Sequence, residues 1–189
     1  MVDRMTVAEY RASIQGKMNR AQGLEFERVV DEACEHYKSL GLAHIEKTPE
    51  PMKIIKVLNR KLGQFVAVFS KAAQPDYKGT MQGGRSVVFD AKSTETDRIQ
   101  QKVVTEGQWE ALDLHETMGA CCFILVSLGL RYYRVPWEKW KTMKEDCGHK
   151  YMNASDLSPY EIGAFPLPLR FLEERNTSPS QSKNSEFDI

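Results

Sequence analysis

The chain has 189 residues, of which 41% are hydrophobic and 28% are charged, a composition typical of one globular domain with a single core. Its 26 basic residues balance its 26 acidic residues, which argues against a uniformly basic nucleic-acid binder. The longest apolar run, residues 120–126, is far shorter than the roughly 20 residues of a membrane-spanning helix, and the first residues lack a signal-peptide pattern, so we expect a cytoplasmic protein.

The first third of the chain predicts a helix followed by a hairpin. Residues 1–22 hold few apolar positions and predict a loose helix or an arm. Across residues 23–40 apolar side chains recur at helical spacing, and Gly41 is a stop signal. Residues 45–57 predict an extended segment that leads into a strand, and residues 65–70 predict a second strand. Basic residues lie between the two, so we predict a hairpin with a cationic tip.

The rest of the chain predicts a sheet with helices on it. Thr105 stands three residues before Gln108, the spacing of a capping box, and predicts the start of a helix that ends near Met118. The nearly continuous apolar run of residues 121–128 predicts a central strand. The other expected elements are a loop with a short strand (74–84), a strand (85–92), a partner strand (131–135), a short helix (137–144) and a disordered tail (173–189). The predicted fold class is α/β, with a mixed sheet flanked by helices in one domain of residues 1–172.

Charge is unevenly distributed along the chain. Residues 44–92 hold nine Lys or Arg against four Asp or Glu, whereas the residues from 173 onward hold four acids and two bases. A basic stretch of this kind can follow the phosphates of a nucleic acid. It is equally typical of a solvated surface, and charge alone leaves that alternative open.

A carboxylate and an ammonium end the predicted strand 85–92. Side chains alternate between the faces of a strand, so Asp90 and Lys92 share one face. Burying such charges is costly unless they are paired or bind a cation. Phosphodiester cleavage needs a stabilised phosphoryl group and a deprotonated water, and a Mg²⁺ ion held by carboxylates supplies both. With Asp76 as a second acid, these residues suit that chemistry, although a structural ion pair at a strand end is the alternative.

The order of these residues resembles a known nuclease motif. Pro75-Asp76 followed by Asp90-Ala91-Lys92 is similar to the motif of the PD-(D/E)xK nuclease superfamily. Over residues 16–140 the chain resembles the recombination protein U (RecU) family of Holliday-junction resolvases. The stretches that carry the resemblance are Asn19-Arg20 with Gly23, Phe26-Glu27, Lys47-Thr48-Pro49-Glu50-Pro51, Pro75-Asp76-Tyr77-Lys78-Gly79, Phe89-Asp90-Ala91-Lys92 and Glu106-Gly107-Gln108.

The resemblance implies a restriction-endonuclease-like fold and a homodimer that binds four-way junction DNA and nicks two strands symmetrically. It also implies Mg²⁺ or Mn²⁺ as cofactor, with Asp76 and Asp90 as metal ligands and Lys92 as the catalytic lysine. Glu27 matches the acidic residue on the family's first helix, and helical geometry places it at the edge of the apolar stripe, whereas Asp31 is expected to point away. Gln108 matches a supporting glutamine, with helix capping as the alternative.

The resemblance further implies a projecting basic β-hairpin stalk over residues 53–71 that enters the centre of the junction. This chain departs from the family at Asp90, where a glutamate is expected, and in the polar loop 93–102, which lacks the family's apolar-Pro-Leu stretch. The residues that we predict to contact DNA phosphates are Arg20, Lys53, Lys56, Arg60, Lys61, Lys71 and Lys78.

Two rival functions remain at this point. One is another nuclease of the same superfamily that acts on duplex ends or flaps, and the other is a junction-binding protein without catalysis. No phosphate-binding loop of the G-x-x-x-x-G-K type occurs, so we expect no nucleotide cofactor. The cysteines are expected to be reduced thiols, and they are Cys34, Cys121, Cys122 and Cys147.

Overall fold

The computed structural model describes residues 7–49, 52–69, 74–164 and 169–172. Two of the predictions, the contact of Lys71 and the tail 173–189, therefore lie outside the described residues. The helices are α1 (Val7–Ser39), α2 (Glu106–Thr117), α3 (Trp137–Lys141), α4 (Met143–Cys147) and α5 (Ala154–Leu157). The strands are β1 (Ala43–Lys47), β2 (Met52–Asn59), β3 (Gln64–Phe69), β4 (Tyr77–Met81), β5 (Ser86–Thr94), β6 (Arg98–Gln100), β7 (Cys121–Leu128), β8 (Arg131–Pro136), β9 (Tyr151–Asn153) and β10 (Glu161–Ala164).

Six strands form one mixed sheet in the order β1-β4-β5-β7-β8-β10. The central pair, β5 and β7, is parallel, with Asp90 opposite Ile124 and Lys92 opposite Val126. The four other pairs are antiparallel. β7 is apolar except for Ser127 and is nearly all buried, because it has strands on both sides and helices on both faces. The predicted α/β class and the central position of this strand are confirmed.

The two faces of the sheet pack against different helices. Phe89 of β5 belongs to a core cluster with Phe26 and Val30 of α1. Val88, one residue earlier, belongs to the other cluster with Leu112 of α2. The alternation predicted for this strand is therefore observed, and it directs Asp90 and Lys92 toward the face that α2 covers.

Several elements differ from the predictions. α1 begins at Val7, so of the two alternatives for residues 1–22 the helix holds for residues 7–22, which are rich in the helix formers Ala, Arg, Gln, Lys and Met and are continuous with the helix predicted from residue 23. The segment 45–57 divides between β1 in the main sheet and β2 in the hairpin. The short helix predicted over residues 137–144 is two helices that meet at Thr142. β6, β9 and β10 were not predicted, since strands of three or four residues carry little periodicity.

β2 and β3 form a separate two-stranded antiparallel hairpin, as predicted. At its tip the side chain of Asn59 accepts hydrogen bonds from the backbone N–H groups of Lys61 and Leu62. A lone two-stranded hairpin is marginally stable in water, and this one leaves many large apolar side chains exposed. These are Met52, Ile54, Ile55, Val57, Leu58, Leu62, Phe65, Val66 and Val68.

Two further expectations concern thiols and membranes. All four cysteines are free, as expected. Within the described residues no helix combines the length and the apolar character that crossing a membrane requires.

Gly79 permits the close pairing of β4 with β1, where it lies opposite Ile45. A Cβ atom at position 79 would lie 2.2 Å from the backbone oxygen of His44 and 2.6 Å from the Cα of Ile45. We expect Gly79→Ala to lower the free energy of unfolding by about 1–3 kcal/mol, because backbone atoms must move to relieve the overlap. Chemical denaturation of the purified variant measures this.

The control for that substitution is Gly23→Ala. Gly23 lies inside α1, where an added Cβ makes an ordinary 3.6 Å contact with Ser93. Alanine is the better helix former, so this variant should gain about 0.5–1 kcal/mol. Equal stability of the two alanine variants would contradict the tight β1-β4 approach.

Candidate active site

Asp90 is the buried centre of the candidate site. It lies on β5 and is completely inaccessible to solvent. Its Oδ1 accepts a hydrogen bond from the backbone N–H of Asp76 (2.9 Å) and another from the side-chain amide of Gln108 (3.1 Å). Two separate elements, the segment before β4 and helix α2, therefore hold this carboxylate in one orientation.

Lys92 joins the two acids of the predicted motif. Its Nζ lies 3.0 Å from Asp90 Oδ2 and 3.7 Å from Asp76 Oδ2, and 3.5 Å from Gln108 Oε1. The second acid is also anchored, since Asp76 Oδ2 accepts a hydrogen bond from the backbone N–H of Ala91 (3.1 Å). The structure thus brings Asp76, Asp90, Lys92 and Gln108 together, although they are spread over more than thirty residues of sequence.

The second carboxylate oxygen of Asp90, Oδ2, is paired with Lys92 but has no hydrogen-bond donor among the described residues of the kind that holds Oδ1. Oδ2 is buried, so its only compensation in the described part of the chain is the nearby ammonium of Lys92. Burial raises the pKa of Asp90 to about 6, while the charge of Lys92 opposes that rise and the charge of Asp76 adds to it. The charged form of this buried carboxylate is therefore favoured by a cation beside it, a position that the Lys92 ammonium occupies.

Gln108 supports the site and caps its helix at the same time. Its Oε1 accepts hydrogen bonds from the backbone N–H (3.1 Å) and the hydroxyl (3.1 Å) of Thr105, which closes the predicted capping box. Its Nε2 is the group that donates to Asp90. The capping box and the contact with Asp90 coexist, because one amide carries an acceptor and a donor.

Glu27 approaches from the opposite face of the sheet. It lies on α1, and its carboxylate is paired with Lys47 at the end of β1. The hydrogen bond that Lys47 donates to Glu27 raises the pKa of Lys47, and the charges of Asp31 and Asp76 raise it further. Among the described residues, no ion pair or hydrogen bond joins the Glu27 side chain to Asp90 or Lys92. Glu27 therefore contacts Lys47, and it is Lys47 that lies close enough to Asp76 to be affected by its charge.

Lys47 is a residue of this region to which sequence reasoning gave no role. The next residue, Thr48, donates its backbone N–H to the carbonyl of Asp76 (2.8 Å), which fixes the end of β1 beside the site. The one indication of a role for Lys47 in the sequence was its place in the Lys47–Pro51 stretch, which supports the family resemblance. Pairing of β1 with β4 across about thirty residues could not be read from local periodicity.

The orientation predicted for Asp31 is wrong. We expected it to point away from the core, but its Oδ1 accepts a hydrogen bond from the hydroxyl of Tyr77 on β4 (2.8 Å). Burial raises the pKa of Tyr77, and the hydrogen bond to Asp31 raises it further. A single turn of α1 therefore directs both Glu27 and Asp31 toward the sheet.

The predicted DNA contacts fall into three groups. Lys53, Lys56, Arg60 and Lys61 are exposed on the hairpin, and none of them has an ion-pair partner among the described residues. Lys78 is half-buried on β4 and donates to the side chain of Gln74 (2.9 Å). Arg20 lies in the part of α1 for which only the backbone is described.

The donor set defines what the site can hold. In the described part of the chain, no three His, Cys, Asp or Glu side chains come together as a metal cluster. Two carboxylates, those of Asp76 and Asp90, face the same ammonium. Mg²⁺ is commonly bound through only one or two carboxylates, with waters and substrate phosphates completing its shell. The arrangement therefore suits a hard divalent cation that is bound together with a phosphate.

Comparison with known proteins gives consistent similarities. The family model described as "Recombination protein U" (RecU) matches residues 21–173. The chain is 29% identical over 156 residues to a Holliday junction resolvase RecU of Streptococcus pneumoniae (strain Taiwan19F-14), covering 77% of this chain and 78% of that protein. It is 30% identical over 131 residues to a Holliday junction resolvase RecU of Bacillus pumilus (strain SAFR-032), covering 64% and 63%.

A search of solved structures found Hjc of Archaeoglobus fulgidus, a Holliday junction resolvase from an archaeal hyperthermophile. The TM-score is 0.45 with 14% sequence identity, and the match covers 73% of this chain and 93% of that chain.

Proposed function

The chain belongs to the recombination protein U family, and on that premise we propose that it is a structure-selective DNA endonuclease that resolves Holliday junctions. The reaction is hydrolysis of a phosphodiester in each of two opposed strands, in DNA recombination and repair. The nuclease domain in this proposal spans residues 1–172, and its substrate is four-way junction DNA. The relatives that carry the name Holliday junction resolvase support the choice of substrate.

One observation supports the catalytic part of the proposal above all others. Asp76, Asp90 and Lys92 meet near the carboxyl end of β5, where Lys92 Nζ lies within 4 Å of both carboxylates. We assign Asp76 and Asp90 as metal ligands and Lys92 as the catalytic lysine. Glu27 joins them as an active-site acid and Gln108 as the supporting residue.

The site fits the proposed Mg²⁺, for which Mn²⁺ substitutes. Asp90 Oδ2 is a buried anionic oxygen whose charge is offset among the described residues by the Lys92 ammonium alone, 3.0 Å away, so a second cation at this oxygen would stabilise it further. Carboxylate oxygens are the donors that hard divalent cations prefer. When bound, a divalent ion lowers the pKa of a water molecule and offsets negative charge on the phosphoryl oxygens.

The chain's own residues supply positioning and charge. Gln108 and the backbone N–H of Asp76 hold the Asp90 carboxylate, and the backbone N–H of Ala91 holds Asp76. The ammonium of Lys92 stabilises negative charge that develops on the scissile phosphate and orients the attacking water. Lys47 keeps Glu27 at the border of the site.

The hairpin supports the choice of a junction and of a homodimer. Its described residues include four basic side chains and no acidic one, so it can enter a region lined by phosphates. Its exposed apolar side chains leave a surface that a lone hairpin cannot bury. Packing with a second copy would bury this surface and place two active sites about a two-fold axis, as two symmetric nicks require.

The test compares three DNA substrates of equal length and end sequence: a four-way junction, a flap and a linear duplex. With Mg²⁺, the wild type should nick the junction at paired, symmetric positions. It should cut the flap and the linear duplex at least about 10-fold more slowly. Equal cutting of all three would support a general nuclease of the same superfamily. Tight junction binding without nicking would support a non-catalytic junction-binding protein.

The raised pKa of Asp90 predicts a pH dependence of stability. The folded-state pKa of about 6 exceeds the ordinary value of 3.8, so the folded protein binds more protons than the unfolded chain between these values. Without metal, this group's contribution to stability therefore falls as the pH rises from about 4 to above 6. Asp90→Asn lacks the titration, so its melting temperature should rise relative to that of the wild type across this window.

Differential scanning calorimetry of both proteins without metal, from pH 4.5 to 7.5, measures the difference. Asp97→Asn is the control, because the Asp97 side chain is 86% exposed and should give a difference that does not change with pH. Adding Mg²⁺ should stabilise the wild type more at pH 7.5 than at pH 5 and should leave Asp90→Asn unchanged. A wild-type-to-variant difference that is constant with pH would contradict the buried, titrating carboxylate.

A further inference from the structure

We propose that a cleft beside the active site binds the stretch of the cut DNA strand that flanks the scissile phosphate. This inference rests on the proposed nuclease function and adds a DNA-contacting surface to it. The cleft has a volume of about 360 Å³ and is formed by the segment that follows β6, the start of α2 and the residue before β9. We call it the α2 cleft, and its lining residues are Gln100, Gln101, Lys102, Val104, Trp109 and Lys150.

The α2 cleft is linked to the active site through two consecutive residues of one helix. Gln108 of α2 donates to the buried Asp90, and the next residue, Trp109, lines the cleft. Neighbouring Cα atoms are about 3.8 Å apart, and their side chains diverge by about 100° around a helix. The cleft thus opens beside the helix turn that holds Asp90, within reach of a DNA strand whose phosphate lies at Asp90.

Two lysines make the cleft attractive to phosphates. Lys102 and Lys150 are both exposed, and neither has an ion-pair partner in the described ranges of the chain. A backbone hydrogen bond from Gln101 N–H to the carbonyl of Lys150 (3.0 Å) holds the two lysine-bearing segments side by side. The described lining contains no acidic residue. Two such cations on a fixed backbone can neutralise phosphates of one strand.

Trp109 gives the cleft an aromatic wall in a fixed position. Its ring packs edge-on against Trp137, with centroids 4.7 Å apart and planes at 70°. Trp137 and Trp140 are fully buried, whereas Trp109 is only partly buried. Stacking of a base or a sugar on an aromatic side chain tolerates any sequence. Lysines and an indole together therefore suit a nucleotide, bound without readout of its base edges.

This surface gives a role to the loop after Lys92, which differs from the family pattern in sequence. Residues 98–100 of that loop form β6 and pair with β9, and residues 101–103 form a turn of 3-10 helix that carries Lys102. The loop is thus folded against β9 and presents its cation beside Lys150.

The first test measures binding and nicking of a four-way junction by Lys102→Ala/Lys150→Ala. The matched control is Lys38→Ala/Arg85→Ala, which also removes two positive charges. Lys38 lies in the last turn of α1, and Arg85 precedes β5 at the end away from Lys92, about 23 Å along the strand. The cleft variant should bind at least about 10-fold more weakly at 0.1 M salt, with a log–log salt slope smaller by about 1.8.

The control variant should retain the affinity and the salt slope of the wild type. A cleft variant that matches the control, while the wild type nicks the junction, would overturn the cleft and leave the nuclease intact. A wild type that neither binds nor nicks the junction would overturn the proposed function and the cleft together.

A second measurement reports on Trp109 directly and needs no cleavage. The chain has three tryptophans, and two are fully buried, so quenching of fluorescence by acrylamide acts mainly on Trp109. Bound junction DNA in a buffer without divalent metal should lower the quenching constant of the wild type about two-fold or more. Trp109→Phe should show weak quenching that DNA does not change. Wild-type quenching that is the same with and without bound DNA would place the strand elsewhere.

Discussion

Replacing Asp90 by asparagine should abolish nicking of a four-way junction, by at least about 10³-fold, while junction affinity stays within about two-fold of the wild type. The change removes the negative charge of a proposed metal ligand, and loss of metal-assisted charge stabilisation costs several kcal/mol in the transition state. The fold should tolerate it, since an asparagine oxygen can still accept from Asp76 N–H and from Gln108 Nε2. The hairpin cations are untouched, so binding persists.

Single-turnover nicking assays and gel-shift titrations on the same junction separate the two effects. Asp97→Asn, the same chemical change on an exposed side chain, should cleave like the wild type. If Asp90→Asn lost binding and cooperative unfolding together, Asp90 would be a structural residue. If it kept cleavage, the metal assignment would be wrong.

Local patterns predicted the part of the site that lies on regular elements. The alternation along β5 placed Asp90 and Lys92 on one face, and the spacing of Thr105 and Gln108 predicted the start of α2. These features follow from the repeat of a strand and from the hydrogen bonds at a helix terminus. The complete burial of Asp90 did not follow from these patterns, because it depends on the pairing of β5 with the apolar strand β7.

The contacts that join distant elements were not predictable from local patterns. The ion pair between Lys47 and Glu27 depends on β1 pairing with β4 and on α1 crossing the sheet. The bond between Asp31 and Tyr77 depends on the same crossing. Helical periodicity gave Asp31 a direction relative to its own helix, but the position of Tyr77 on β4 decided what its side chain reaches.

The same contrast holds for the α2 cleft. Lys102 and Lys150 are 48 positions apart, and pairing of β6 with β9 brings their segments together. Each of these strands has three residues, too few for a pattern that identifies a strand. The position of Gln108 at the start of α2 could be predicted because its partner Thr105 is close in sequence. The surface that Trp109 lines could not be predicted, because it is formed together with Lys150, the residue before β9.

The double substitution Lys56→Ala/Lys61→Ala should weaken junction binding by about 60-fold at 0.1 M salt and reduce the log–log salt slope by about 1.8, if each lysine neutralises one phosphate. Both side chains are exposed on the hairpin, and neither has an ion-pair partner among the described residues. Gel-shift titrations at several salt concentrations, on the junction and on a linear duplex of the same sequence, measure affinity and slope. The loss should be larger for the junction, because the hairpin is proposed to enter its centre.

The hairpin should remain folded in this variant, so that a loss of affinity can be assigned to charge. The tip is held by the side chain of Asn59, which bonds to backbone N–H groups that the substitution of Lys61 retains. Removing exposed cations without ion-pair partners should change stability by no more than a few tenths of a kcal/mol. Near 1 M salt the affinities of variant and wild type should converge, because little counterion release remains to be lost. An affinity gap that persists there would instead mean that the hairpin had changed its shape, and an unchanged affinity at 0.1 M would place the junction away from the stalk.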